Sequence, residues 1–432
     1  MQFFISIIIA FLFTIQAHAG NLTEESLFII NPTKEQIKTL KQNPEISFDH
    51  PSRLGIEVYG PKGLSIYLNQ LDINFVDIAL DHLKNADDYP TPEKINEELE
   101  KINEEYPEIT QLDVIGISTQ GKKIYAMKIS DQPNVDENEP EVKYIANMHG
   151  DEIVGRELMI LLIKELTSQY RNGNAQVKNL IDQTEIYIIP SMNPDGAYDR
   201  RRGNSSWVDL NRDFPDFSTR DNENTPHGRE VETKAIMEWQ ASRNFSLSAN
   251  FHGGAEVVNY PWDTIADRHP LHDFVVQISQ EYANEVPGMK NSIEFPGGIV
   301  NGYSWYEVNG GMQDWSYYWY NDLQVTIEVS NVKWPRYSEV ARYWEENKKS
   351  LVNFLEKVHQ GVGFVIKSEI KKVQIAQNDT LIGTFEVINN EFYKVLPIGE
   401  YTFNFLTEEN KIVKTIKKSV IGNGHKAVFE TI

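Results

Sequence analysis

A chain of 432 residues, 40% apolar and 24% charged, has the composition of a soluble globular protein with room for two or three domains, which excludes wholesale disorder. A formal charge of −22 repels phosphate backbones, so nucleic acid is set aside as a partner and cationic ligands are favoured. The absence of cysteine removes disulfides, thiol nucleophiles and thiolate metal sites together.

Phe3 to Ile15 is an almost unbroken apolar run, followed by Ala17-His18-Ala19 before Gly20. It is too short to span a bilayer and ends in a small-x-small cleavage pattern, so residues 1–19 read as a removable signal peptide. No Lys or Arg precedes the run, and an uncleaved anchor is the weaker alternative. The expectation is an exported monomer, periplasmic or secreted, without stable membrane insertion once the signal is removed.

Residues 20–85 alternate short strand patterns (SLFIIN, IEVYG, NFVDIAL) with helical ones (TKEQIKTLKQN, PKGLSIYLNQ), which predicts a small α+β unit. Polar, turn-forming residues from Asn85 to Pro90 then break the pattern. Residues 86–360 open with an amphipathic helix over Ile95–Glu105. They continue with the apolar runs VKYIANM and IYIIPSM around a helix predicted over Gly155–Tyr170, an α/β alternation about a buried sheet. From 361 to 432 the runs GFVIKSE, KKVQIAQ, TLIGTFEVI, EYTFNFL and KAVFETI predict a small β-sandwich.

Chemistry concentrates in the middle region. His149 and Glu152 lie three residues apart just after VKYIANM, at a strand end, where the active sites of open α/β sheets gather. A loop there can turn nitrogen and oxygen donors toward one zinc ion. His252, followed by two glycines, offers a third ligand, and two His with one Glu leave a coordination position for water. Glu328 lies inside the apolar run VTIEVS, where a carboxylate needs a partner or a task. Arginine is dense from Arg200 to Arg212. Arg202 and Arg212 are the candidates for pairing with a carboxylate or stabilising an oxyanion, whereas Arg200 and Arg201 read as solvated loop.

His149-x-x-Glu152, Asn193-Pro194-Asp195-Gly196, Asp209 to Pro215, His252-Gly253-Gly254, NGYSWYEVNGGMQDWSYYW and Glu328 follow one another as in zinc metallocarboxypeptidases. The tract Gly302 to Trp315 resembles the regulatory, carboxypeptidase N/E-type branch, and the resemblance runs from about Tyr89 to Ile432. It implies a mixed central sheet with helices on both faces, followed by a transthyretin-like β-sandwich. It also implies one Zn2+ held by His149, Glu152 and His252, with Glu328 as general acid/base and Arg202 polarising the scissile carbonyl. Asn211, Arg212 and Tyr306 then grip the terminal carboxylate of a peptide substrate, whose last bond is cut by metal-activated water.

Asp263 lies eleven residues after His252, where basic-specific members of the branch carry their pocket aspartate, and Gln313 matches a second pocket residue. Release of a C-terminal Lys or Arg is therefore expected. The alternatives are a cell-wall peptide carboxypeptidase that takes diaminopimelate or another terminal residue, an N-acyl amino acid deacylase, and an inactive peptide-binding module. No counterpart is claimed for residues 20–85, which read either as an inhibitory pro-segment or as a permanent accessory domain.

Overall fold

The computed structural model describes residues 25–43, 45–78, 89–367, 369–422 and 429–432. The expected signal peptide and the boundary near residue 85 lie outside the described residues. Among them, no helix is long and apolar enough to cross a membrane.

The N-terminal unit is an antiparallel sheet in the order Ser47–Asp49, Gly55–Gly60, Glu25–Ile30, Phe75–Asp77. Its helices Lys34–Leu40 and Leu64–Gln70 share one apolar core with the sheet, built on Leu27, Ile29, Leu40, Val58, Leu64 and Leu68. The first helix is shorter than the pattern over 33–43 predicts. Thr33 stands outside it as a cap, in a reciprocal capping box with Gln36.

Ile95, Leu99 and Ile102 are buried as their spacing predicts, but that helix begins at Pro92, because Thr91 caps it and proline suits a first turn. It leads into an eight-stranded mixed sheet. The order is Ile299–Asn301, Ala255–Tyr260, Leu323–Ser330, Phe245–His252, Glu141–Ala146, Glu185–Ile189, Lys123–Ile129, Thr110–Ile117. The four strands from Leu323–Ser330 to Glu185–Ile189 run parallel and are buried along their whole length; Glu141–Ala146 and Glu185–Ile189 are largely apolar, whereas Phe245–His252 and Leu323–Ser330 interleave apolar with buried polar residues. Helix Val154–Arg171 matches the span predicted over Gly155–Tyr170 to within a residue at each end.

The C-terminal region folds as two facing groups of strands, one of three and one of four. It includes Glu391–Val395 and Ile412–Val420, two strands that the apolar pattern does not announce. The second is a sheet edge, exposed over most of its length and carrying three lysines, a composition that discourages further pairing and also hides the strand. One apolar cluster runs without a break from this region into the central sheet.

The parallel strands deliver the loops that follow them to one end of the sheet. There the backbone of the 149–152 loop crosses that of the turn at 193–196. A Cβ on Gly150 would stand 2.0 Å from the carbonyl carbon of Gly196, and Gly150 N–H donates to the carbonyl of Arg202 at 3.2 Å. Asn193 caps the short helix Pro194–Asp199 and donates to the carbonyl of Met148. Two sequence motifs are thus one backbone junction. Gly150→Ala is expected to force the loops apart and to destabilise the metal-free protein by at least about 1–3 kcal/mol. At about 2–4 °C per kcal/mol for a domain of this size, scanning calorimetry will show the lower midpoint.

Candidate active site

Strand register brings the site together. His252 is the cross-strand partner of Glu328, and Ala146 is the partner of Phe251. His149 and Glu152 therefore emerge beside His252 at the C-terminal ends of the same parallel strands.

The geometry of the three ligand candidates is close to what a tetrahedral ion requires. His149 Nδ1 and His252 Nδ1 are 3.0 Å apart, and Glu152 Oε2 lies 3.1 Å from the first and 2.9 Å from the second. Donors each about 2.0–2.1 Å from zinc stand roughly 3.3 Å from one another, so a small relaxation seats the ion. All three residues are buried. Gly253 N–H also donates to Glu152 Oε2 at 3.1 Å, which holds the carboxylate in place.

His149 Nε2 lies 3.0 Å from Asp209 Oδ1, the outer carboxylate that fixes ring orientation and raises ligand basicity in histidine metal sites. Burial and Arg202 lower the pKa of His149, but Glu152 and Asp209 outweigh them and raise it to about 9. The surroundings thus favour a cation at this spot. Sequence reading did not single out Asp209, although it opens the Asp209-Leu210-Asn211-Arg212 motif.

Arg202 is 1% exposed. Its guanidinium lies 3.0 Å from Asp209 and 3.4 Å from Glu152, with Nη1 3.1 Å from His149 Nδ1. It also pairs with Asp49 of the N-terminal unit. Arg212 is less buried and donates to the carbonyls of Asn211 and Phe48. Asn211 Oδ1 accepts from the N–H of Met312, which ties the arginine motif to the Gly310-Gly311-Met312 turn. Tyr306 donates to Asp49 Oδ1 at 2.7 Å. Glu328 lies beside His252 with Oε1 3.3 Å from His50 Nε2; among the described residues nothing bonds its Oε2.

Asp263 is buried away from the metal ligands. Its Oδ1 accepts from Asn259 and Gln313 at 3.1 and 2.9 Å. Burial pushes its pKa up to about 7 against those bonds and Arg212. Asp314 stands behind it, accepting from the N–H groups of Asp263 and Thr264. Three buried acceptor atoms here, Asn259 Oδ1, Gln313 Oε1 and Asp314 Oδ1, have no partner among the described residues. Gly302 leaves the space open: a Cβ there would stand 1.7 Å from Asp263 Oδ1.

Lys333 was not anticipated. It follows the Glu328 strand, is 3% exposed, and lies 3.1 Å from Glu152 Oε1. No motif surrounds it in the sequence, and only the tertiary fold places it at the metal ligands. A cavity of about 970 Å3 opens beside the site, lined by Arg202, Asp209, Arg212 and Tyr306 on one side and by Phe48 and Arg53 on the other.

The family described as Zinc carboxypeptidase matches residues 95–350. Carboxypeptidase M of Mus musculus is 38% identical over 339 residues, covering 71% of this chain and 75% of that protein. The carboxypeptidase N catalytic chain of Mus musculus is 38% identical over 315 residues, 63% of this chain and 69% of the relative. Carboxypeptidase D of Homo sapiens is 39% identical over 335 residues, 70% of this chain but 24% of that longer protein. A crystal structure of thrombin activatable fibrinolysis inhibitor shares the fold at TM-score 0.61 and 17% identity, over 77% of this chain and 97% of that one. Carboxypeptidase A from Helicoverpa Armigera does so at 0.59 and 17%, with the same coverages.

The Asp209 contact predicts a measurable effect on zinc. Asp209→Asn should weaken zinc affinity about 10–100-fold, whereas His252→Ala removes a ligand and should weaken it further. Competition against a chromophoric chelator measures both. Unchanged affinity in Asp209→Asn would separate that residue from the metal site.

Proposed function

We propose that this chain, which belongs to the zinc carboxypeptidase family, releases Lys or Arg from the C-terminus of peptides. It is a metallocarboxypeptidase, a hydrolase with one catalytic zinc acting on peptides that carry a free C-terminal carboxylate. The observation that carries the basic specificity is the pocket around Asp263. It holds a buried carboxylate and three orphan acceptors, a surface that a guanidinium or ammonium satisfies with several donors at once. A neutral or acidic side chain would leave those acceptors dry and unbonded, which opposes diaminopimelate-type and other non-basic termini.

Zinc held by His149, Glu152 and His252 supplies Lewis acidity for activating water and polarising the scissile carbonyl. Arg212, with Asn211 and Tyr306, receives the terminal carboxylate, so the last peptide bond is the one presented. Arg202 places a permanent positive charge where the carbonyl oxygen gains negative charge. Glu328 accepts a proton as water oxygen bonds the carbonyl carbon. It then delivers that proton to the amine nitrogen as the C–N bond breaks, leaving two products and an unchanged enzyme. Ligands, base and both arginines are all present, which opposes a module that only binds peptides.

The apolar leader before Gly20 supports export of the protein, and we include export and a monomeric state in this reading.

Peptides that differ only in their last residue test the specificity. Relative kcat/KM for Arg or Lys over Phe or Glu should be at least about 100-fold, and Asp263→Ala should remove most of that ratio. Glu328→Gln should lower kcat by roughly 10^2–10^4-fold with zinc retained. Asp263 must be ionised to pair with a cation, and it is protonated below about 7. The Arg-over-Leu ratio in kcat/KM should therefore fall as pH drops through neutrality and level off above it; a flat ratio from pH 5.5 to 8.5 would remove Asp263 from the recognition step.

A further inference from the structure

The two oxygens of Glu152 have different partners. Oε2 joins the other ligand candidates, 3.1 Å from His149 Nδ1 and 2.9 Å from His252 Nδ1, and accepts from the N–H of Gly253 at 3.1 Å. Oε1 is taken by two cations, Lys333 Nζ at 3.1 Å and Arg202 Nη1 at 3.4 Å. A carboxylate that gives a zinc ion one oxygen fills one coordination position, and one that gives both fills two. The partners of the second oxygen decide between these modes, as outer groups do for other metal ligands.

Lys333 is built into its place from both ends. It is 3% exposed. Its carbonyl accepts from the N–H of Ile153 at 3.1 Å, so its backbone is tied to the residue that follows Glu152. Its stem runs past the two glycines that follow His252. A Cβ on Gly253 would stand 3.8 Å from Lys333 Cα, and one on Gly254 would stand 3.0 Å from Lys333 Cε. Gly254 also has φ +122°, a conformation that side chains rarely allow, so glycine is needed there for the backbone and for the lysine stem. The ammonium is fixed further by Glu57 at 2.9 Å, Asp49 at 3.1 Å and Tyr59 at 2.5 Å. Arg202 divides its guanidinium between Asp209, Asp49 and Glu152, which leaves Lys333 as the nearer cation to Oε1.

We infer that Lys333 is a positioning residue of the metal site: by holding Glu152 Oε1 it makes the glutamate a ligand through Oε2 alone and keeps one coordination position open for water. Resting on the reading of His149, Glu152 and His252 as metal ligands, this role is independent of which terminal residue the enzyme takes. Without the ammonium, Oε1 keeps only the longer contact to Arg202 and can turn to the ion as a second donor.

The test loads the full chain with cobalt(II) in place of zinc. The visible bands of cobalt are intense with four donors and weaken when a fifth joins, so they report the coordination directly. The parent should give the four-coordinate spectrum. In Lys333→Met the extinction should fall at least about twofold as Oε1 joins the ion, with one metal still bound. The zinc-loaded variant should lose about 10–100-fold in kcat/KM on a peptide ending in Arg. A five-coordinate spectrum in the parent would overturn the role of Lys333 without any variant. An unchanged spectrum in Lys333→Met would do so even with activity lost, because a lysine that only neutralises buried acids or ties distant parts of the chain together leaves the coordination as it was. Failure of the parent to take up one cobalt would sink the metal-site reading itself. A four-coordinate parent whose spectrum responds to Lys333→Met, without hydrolysis of any peptide, would uphold the role of Lys333 and sink the peptidase reading.

Discussion

Carboxylates gathered in a dry crevice must each meet a positive charge, and the architecture around this site follows from that requirement. Glu152, Glu328 and Asp49 are buried, with Asp209 and Glu57 close beside them. Unpaired, such groups would protonate or unfold the site. The chain answers with Arg202, Lys333, His149 and His50, and zinc supplies further charge when bound. Burial raises the carboxyl pKa of Glu152, but His149 and Lys333 outweigh it and hold the value well below the usual range. Burial acts likewise on Asp209, and Arg202 and His149 outweigh it. The surroundings thus favour the ionised form of both, as suits a metal ligand and its supporting group.

The same requirement separates the two functions of the site in space. Near the zinc ligands, Glu152, Asp209 and Asp49 each already have a cation. In the side-chain pocket, Asp263 has only neutral donors and Arg212 at a distance, and its acid remains poised near neutrality. A charge left unmatched inside the protein is a selective receptor for a ligand that brings the match. Metal binding draws on carboxylates whose charge is settled, Glu152 and Asp209, and recognition on one whose charge is not.

Much of this was legible in the sequence because the groups are local. His149 and Glu152 share a loop, and His252 and Glu328 end adjacent parallel strands whose apolar runs are visible. The cluster from Arg202 to Arg212 stands out in an acidic chain. Asp209 was within reach, since a carboxylate two residues before a substrate-facing asparagine can turn toward a ligand histidine, but its role depends on ring orientation. Lys333 and the Asp49-His50 pair were not legible. Their importance comes from contacts across 284 residues of chain for Lys333–Asp49 and 278 for His50–Glu328. Asp-His-Pro in a short loop also has the composition of an ordinary turn. In the sandwich, Ile412–Val420 escaped for a different reason: an edge strand protected by lysine loses the apolar alternation by which strands are recognised.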